Sequence, residues 1–163
     1  MGNSGSESAG GASEPRASDA SMSLTSIRPA TSKDVDAIVE LLRPYVKLRL
    51  LLERDSDEIA ALMPTGFSAV RSDNQALIGF CAVEIYSKKL AEIQCLAVSE
   101  PYRNTGVGGE LVQRCVKLAK DKGVMEVMAI SSSENFLRGL GFDYSLPEQK
   151  RALFYQLRER FSE

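Results

Sequence analysis

Leu96-Ala97-Val98-Ser99-Glu100-Pro101-Tyr102-Arg103-Asn104-Thr105-Gly106-Val107-Gly108-Gly109 is the stretch on which the reading of this chain turns. Before it, Leu90–Val98 alternates like a strand. After it, Leu111, Val112, Cys115, Val116 and Ala119 keep helical spacing. The glycine-rich segment is therefore a loop that leaves a strand and opens a helix. That position suits a phosphate, because the first-turn N–H groups of a helix lack intrahelical partners and lie at the positive end of its dipole. Gly106, Gly108 and Gly109 have no Cβ, so the backbone can approach a phosphate closely. Arg103 adds a forked positive charge suited to phosphate oxygens. From these residues alone, a turn that merely caps a helix remains the alternative. Two other phosphate loops are excluded: Gly109 is followed by Glu110 rather than Lys-Ser/Thr, and Leu111 stands where a dinucleotide fingerprint needs glycine.

Working outward, Leu24–Arg28 reads as a first strand ended by Pro29. Thr31-Ser32-Lys33-Asp34 resembles a capping box for a helix carrying Val35, Ile38, Val39, Leu41 and Leu42 on one face, ended or kinked at Pro44. Tyr45–Arg54 has no clear form, and Asp55-Ser56-Asp57-Glu58 starts a short helix through Met63. Phe67–Arg71 and Ala76–Tyr86 flank a Ser-Asp-Asn-Gln turn and form a hairpin. Leu90–Val98 is expected to put Ala91, Ile93, Cys95 and Ala97 on one face and Glu92, Gln94, Leu96 and Val98 on the other. Gly123 sits where a helix C-cap belongs. Val124–Ile130 is a strand, Ser133–Leu140 a short helix, and Phe142–Leu146 with Ala152–Leu157 a closing pair of strands. This order describes an α/β domain with a mixed sheet, without internal repeats.

The 163 residues suit one domain, 24–163, behind a tail, 1–23, that has no Leu, Ile, Val or Phe and is expected to be disordered. The tail lacks a signal-peptide core. Its Met1-Gly2-Asn3-Ser4-Gly5-Ser6 fits a myristoylation pattern that Gly/Ser-rich sequence also produces by composition. A net charge of −2 gives no electrostatic case for nucleic acid, and no apolar run suggests a membrane partner. With no histidine, a Ser-His-Asp triad and a histidine-ligated metal are excluded, and any base must be a carboxylate, a tyrosine, a lysine or a held water. Cys81, Cys95 and Cys115 lack metal spacing and read as small buried hydrophobes, which suits a reducing, cytoplasmic setting.

Taken whole, Leu96-Ala97-Val98, the Pro101-Tyr102 turn and Arg103-Asn104-Thr105-Gly106-Val107-Gly108 resemble the signature of the GNAT superfamily of N-acetyltransferases. Phe136 and Leu137-Arg138-Gly139-Leu140-Gly141-Phe142 fit a later part of that signature. The resemblance spans residues 26–157. It implies a mixed, mostly antiparallel sheet, splayed at the cofactor site and flanked by helices. It also implies acetyl-CoA as cosubstrate, no metal, and a small-molecule amine as acceptor; a homodimer is left open. By it, Arg103, Asn104, Thr105, Gly106, Val107, Gly108 and Gly109 would hold the CoA pyrophosphate. Leu96, Ala97 and Val98 would lie along the pantetheine arm, pairing with it as if it were a strand.

On the same resemblance Glu92 is the candidate general base, expected on the face of Leu96 and Val98 and acting through a water. The alternative is a solvent-facing strand glutamate. A strand N–H near Leu96–Val98 would polarise the thioester carbonyl. The family's usual tyrosine acid is replaced by Leu137, although a thiol with a pKa of about 8.5 leaves acceptably as thiolate. Tyr86, Tyr102, Tyr144 and Tyr155 are the other candidates for that acid; the alternative is that they are packing or surface residues. Within the superfamily, Leu50-Leu51-Leu52-Glu53-Arg54 and Ala91–Val98 are similar to amino-acid acetyltransferases of the N-acetylglutamate synthase type. That likeness makes Arg54 the anchor for a substrate carboxylate, with Lys47 or Arg49 assisting; the alternative is that these cations form a solvated face. Ser131-Ser132-Ser133-Glu134 departs from that subgroup and shows no second anchor. Other amine acceptors, and a silent acyl-CoA-binding module, are the competing readings.

Overall fold

A computed structural model of the chain describes residues 24–144. The expected N-terminal tail and the strand over 152–157 lie outside these residues, as does the end of the strand expected over 142–146. Residues up to Ser131 form one compact unit, and those from Ser132 a second.

In the first unit a five-stranded sheet runs in the order β1 (Thr25–Pro29), β2 (Gly66–Arg71), β3 (Leu77–Ile85), β4 (Leu90–Val98) and β5 (Glu126–Met128). The first four strands pair antiparallel, and β5 joins β4 in parallel. The sequence between β1 and β2 makes α1 (Val35–Lys47) and α2 (Ser56–Ala61); α3 (Val107–Asp121) follows β4. In the second unit, α4 (Glu134–Gly139) is closed by the N–H of Phe142 donating to the Leu137 carbonyl at 3.1 Å.

Each face of the sheet carries a core. Ile38 and Leu42 of α1, Ile59 of α2 and the following Leu62 and Met63 pack on Phe80, Ala82, Cys95 and Ala97. On the other face α3 buries Leu111, Val112, Cys115 and Ala119. It comes so close that a Cβ on Gly79 would meet the Leu111 side chain at 3.1 Å. All three cysteines are buried and unpaired, as their apolar settings suggest. Burial pushes the Cys81 thiol up, helped by the neighbouring Cys115.

Asp34 ties β1 and β2 to the start of α1. It accepts from both terminal nitrogens of Arg28 (2.7 and 2.8 Å), the Thr31 N–H (2.8 Å) and the Ser68 hydroxyl (3.2 Å). The Arg28 guanidinium, with the N–H and hydroxyl donors, holds this buried carboxyl at about 2 despite the opposing effect of burial.

Three boundaries differ from expectation. Helix α1 runs through Pro44 to Lys47; it closes when the Leu48 N–H donates to the Pro44 carbonyl, so the proline sits in its last turn. Strand β5 is shorter than 124–130. The Val124 N–H is committed to the Ala119 carbonyl at 3.0 Å, completing the cap around Gly123 (φ +75°). Phe142–Tyr144 is not a strand.

Candidate active site

The strand that lines the site carries a bulge. Ala82 pairs with Gln94 and Phe80 with Ala97, so Cys95 and Leu96 together oppose Cys81. Cys95 absorbs the extra residue with a left-handed backbone, φ +56°. The expected alternation therefore breaks. Glu92 and Gln94 share a side with Ala97, the side facing α1 and α2, while Val98 aligns with Gly79 on the opposite side. The expectation that Glu92 and Val98 share a face is corrected by this one extra residue.

Strand β5 pairs with β4 only from Leu90 to Glu92. Among the described residues no strand continues this pairing along Ile93–Val98, and among them that edge is open. The Ser99 N–H donates to Ile78 at 2.7 Å, so by antiparallel geometry the Val98 N–H and C=O point away from β3, toward the open edge. The Tyr45 phenol of α1 satisfies both: it donates to the Val98 carbonyl at 2.5 Å and accepts from the Val98 N–H at 3.1 Å. Arg103 closes over this pair. Its Nε donates to the Val98 carbonyl at 3.3 Å, and its guanidinium lies 5.2 Å from the Tyr45 ring centre.

The glycine-rich loop follows as a short turn, with Asn104 (φ +62°) and Gly106 (φ +94°) left-handed. The Thr105 hydroxyl donates to the Tyr102 carbonyl at 2.6 Å and pins the turn. Gly106 caps α3, and the first helical bond runs from the Glu110 N–H to the Gly106 carbonyl at 3.0 Å. Helix geometry leaves the N–H groups of Val107, Gly108 and Gly109 for an anion. Val107 is buried under the turn, whereas Gly106 is exposed and Gly108 and Gly109 are half-exposed.

On the α1 and α2 side, Arg54 is half-buried and donates to the Gln94 side-chain oxygen at 2.8 Å. It also bears on Cys95, whose thiol burial pushes up and Arg54 pulls down. Lys47 and Arg49 are exposed, which separates Arg54 from the cations beside it in sequence. The Gln94 amide reaches the Tyr86 hydroxyl at 3.4 Å, and that hydroxyl donates to Glu92 at 2.5 Å. Tyr45 and Gln94 escaped the sequence reading as functional residues. Gln94 was signalled by its place two residues from Glu92; Tyr45 meets Val98 across 53 positions and had no local signal. Leu137, which stands where the family's tyrosine is usual, lies on α4 in the second unit. Among the described residues no three Cys, Asp or Glu side chains gather as they would around a metal, and no helix is long and apolar enough to cross a membrane.

Comparison with known proteins identifies the family. Residues 35–142 match the profile of the Acetyltransferase (GNAT) family. An uncharacterized N-acetyltransferase from Chlorobaculum tepidum is 32% identical over 118 residues, covering 72% of this chain and 75% of that one. The amino-acid acetyltransferase of Escherichia coli is 28% identical over 144 residues, covering 85% of this chain but 32% of its own length. The chain thus spans about a third of the amino-acid acetyltransferases it matches. Among solved structures, Rv2747 from Mycobacterium tuberculosis in complex with CoA and NLQ superposes with a TM-score of 0.67 at 25% identity, covering 71% of this chain and 70% of that one. The N-acetylglutamate synthase from Neisseria gonorrhoeae, complexed with coenzyme A and N-acetyl-glutamate, gives 0.63 at 26%, covering 71% and 27%. By profile, relatives and fold, this chain belongs to the GNAT family and is an acetyl-CoA-dependent N-acetyltransferase.

Proposed function

We propose that the acceptor is the α-amino group of an amino acid, with Arg54 binding its carboxylate and Glu92 serving its nitrogen. The carrying observation is the hydrogen-bonded line along one side of β4. Arg54 is fixed on Gln94, and Glu92 stands two residues along the same side of the strand. Positions two apart on a strand are separated by about 7 Å. One end therefore offers a guanidinium and the other a carboxylate, the complement of a zwitterion. The named relatives and the CoA complexes among the structural neighbours support this reading.

In this reading Arg103, Asn104, Thr105, Gly106, Val107, Gly108 and Gly109 hold the CoA pyrophosphate on their N–H groups and on the Arg103 charge. Leu96, Ala97 and Val98 line the pantetheine arm along the open edge, where the Val98 N–H and C=O pair with it once the Tyr45 phenol yields them. Acetyl-CoA supplies the activated acyl group. Glu92 takes a proton from the acceptor ammonium, through a water, so that a neutral amine attacks. The thiol departs as thiolate, which needs no strong acid.

The test compares α-amino acids with the amines that lack their α-carboxylate, following thiol release and identifying the acetylated product by mass spectrometry. The reading expects acetylation of at least one amino acid with kcat/KM about a hundredfold above its amine counterpart. Equal rates would refute it.

A further inference from the structure

The register sets Glu84 of β3 directly opposite Glu92 of β4. Like charges in that arrangement oppose one another and weaken a sheet. The side chain that bridges them is Tyr86, just past the end of β3. Its hydroxyl donates to Glu92 Oε2 at 2.5 Å, lies 3.4 Å from Glu84 Oε2, and takes the Gln94 amide at 3.4 Å. Gln94 in turn holds Arg54 through its oxygen at 2.8 Å. One phenol therefore links both carboxylates to the line that ends at the guanidinium.

We propose that Tyr86 is a positioning residue for acetyl transfer: its hydroxyl fixes one oxygen of Glu92 and leaves the other to serve the acceptor nitrogen. The proposal rests on the reading of Glu92 as the base. A carboxylate on a flexible two-methylene stem adopts several rotamers, and its efficiency depends on being held within reach of the proton it removes. Tyr86 follows β3 and reaches Glu92 without occupying β4, which leaves the open edge of β4 to the cofactor. Burial and the two carboxylates push the Tyr86 phenol up to about 12, so it stays a donor throughout neutral pH. Tyr86 is exposed, at 50%, so removal of its hydroxyl opens no core cavity.

The experiment is a double-mutant cycle with Tyr86→Phe and Glu92→Gln on the full chain, reading kcat and both KM values. Alone, Y86F is expected to lower kcat about tenfold, the loss of one hydrogen bond to a charged group, with the KM for acetyl-CoA unchanged. Alone, E92Q is expected to lower kcat by about a hundredfold or more. Combined, the two are expected to be no slower than E92Q, because the hydroxyl acts only through the carboxylate. If Y86F stays within about twofold of wild type, or slows E92Q by a further tenfold, the positioning role is overturned while the role of Glu92 stands. If E92Q keeps full activity, both roles fall together.

Discussion

Replacing Arg54 by alanine tests the acceptor reading at the residue on which it depends. Arg54 is half-buried, with one terminal nitrogen committed to the neutral Gln94 side chain at 2.8 Å. The guanidinium also bears on the Cys95 thiol, and with five N–H donors it still has room for a carboxylate fork. Two hydrogen bonds to an ionised partner contribute about 1.5 kcal/mol each at the lower end, appropriate to a site that water reaches. Their loss of about 3 kcal/mol corresponds to a fall in kcat/KM of about 150-fold. The fall should appear mainly as a raised KM for the amino acid. The KM for acetyl-CoA should not move, since the bond Arg54 makes is to Gln94 of β4 and the proposed pyrophosphate loop begins only at Arg103. Arg54→Lys keeps the charge without the fork and should sit between the two. The assay is thiol release at saturating acetyl-CoA, run in parallel with the acceptor's decarboxylated amine. If R54A slows both acceptors equally, Arg54 supports the fold rather than the carboxylate. If it slows neither, the guanidinium belongs to a solvated face and the amino-acid reading fails.

Two further outcomes follow from the same geometry. The Asp34 carboxyl is held at about 2, below its ordinary 3.8, so its stabilisation is complete above pH 4 and is lost as pH falls toward 2. Chemical denaturation should show about 2 kcal/mol of stability disappearing over that interval, and Asp34→Asn, destabilised at neutral pH, should lack this loss. At the cofactor edge, the Tyr45 phenol occupies both backbone groups of Val98 that a pantetheine amide would use. Tyr45→Phe should then tighten acetyl-CoA by about tenfold in a calorimetric titration, whereas weaker binding would mean that the phenol contacts the cofactor instead of yielding to it.

The elements legible in the sequence were those with local chemistry. Gly106 and Gly123 mark the two ends of α3 because their positive φ favours glycine, and the capping signals at Thr31 and Asp55 open the first two helical segments where expected. The bulge in β4 carried no such mark. Its left-handed residue is Cys95, and a cysteine in an alternating strand reads as one more buried side chain. That single residue reversed the side on which Val98 was placed relative to Glu92. Helix α1 passed through Pro44 because a proline in the last turn disrupts only one bond there. The contact between Tyr45 and Val98 and the line from Arg54 to Glu92 join separate elements. Such meetings are decided by packing, which composition and spacing do not encode locally.

The central claim is that the N–H groups at the start of α3 hold the pyrophosphate of acetyl-CoA. Its most direct test is calorimetric titration of acetyl-CoA into the wild-type chain and into Gly108→Asp. Gly108 lies in the first turn of α3, where an aspartate favours the helix dipole, so the fold should keep its thermal transition. The same carboxylate would stand against the phosphates. Affinity should fall by at least about a hundredfold in G108D while the melting temperature stays within about 2 °C. Equal affinity in the two proteins would contradict it.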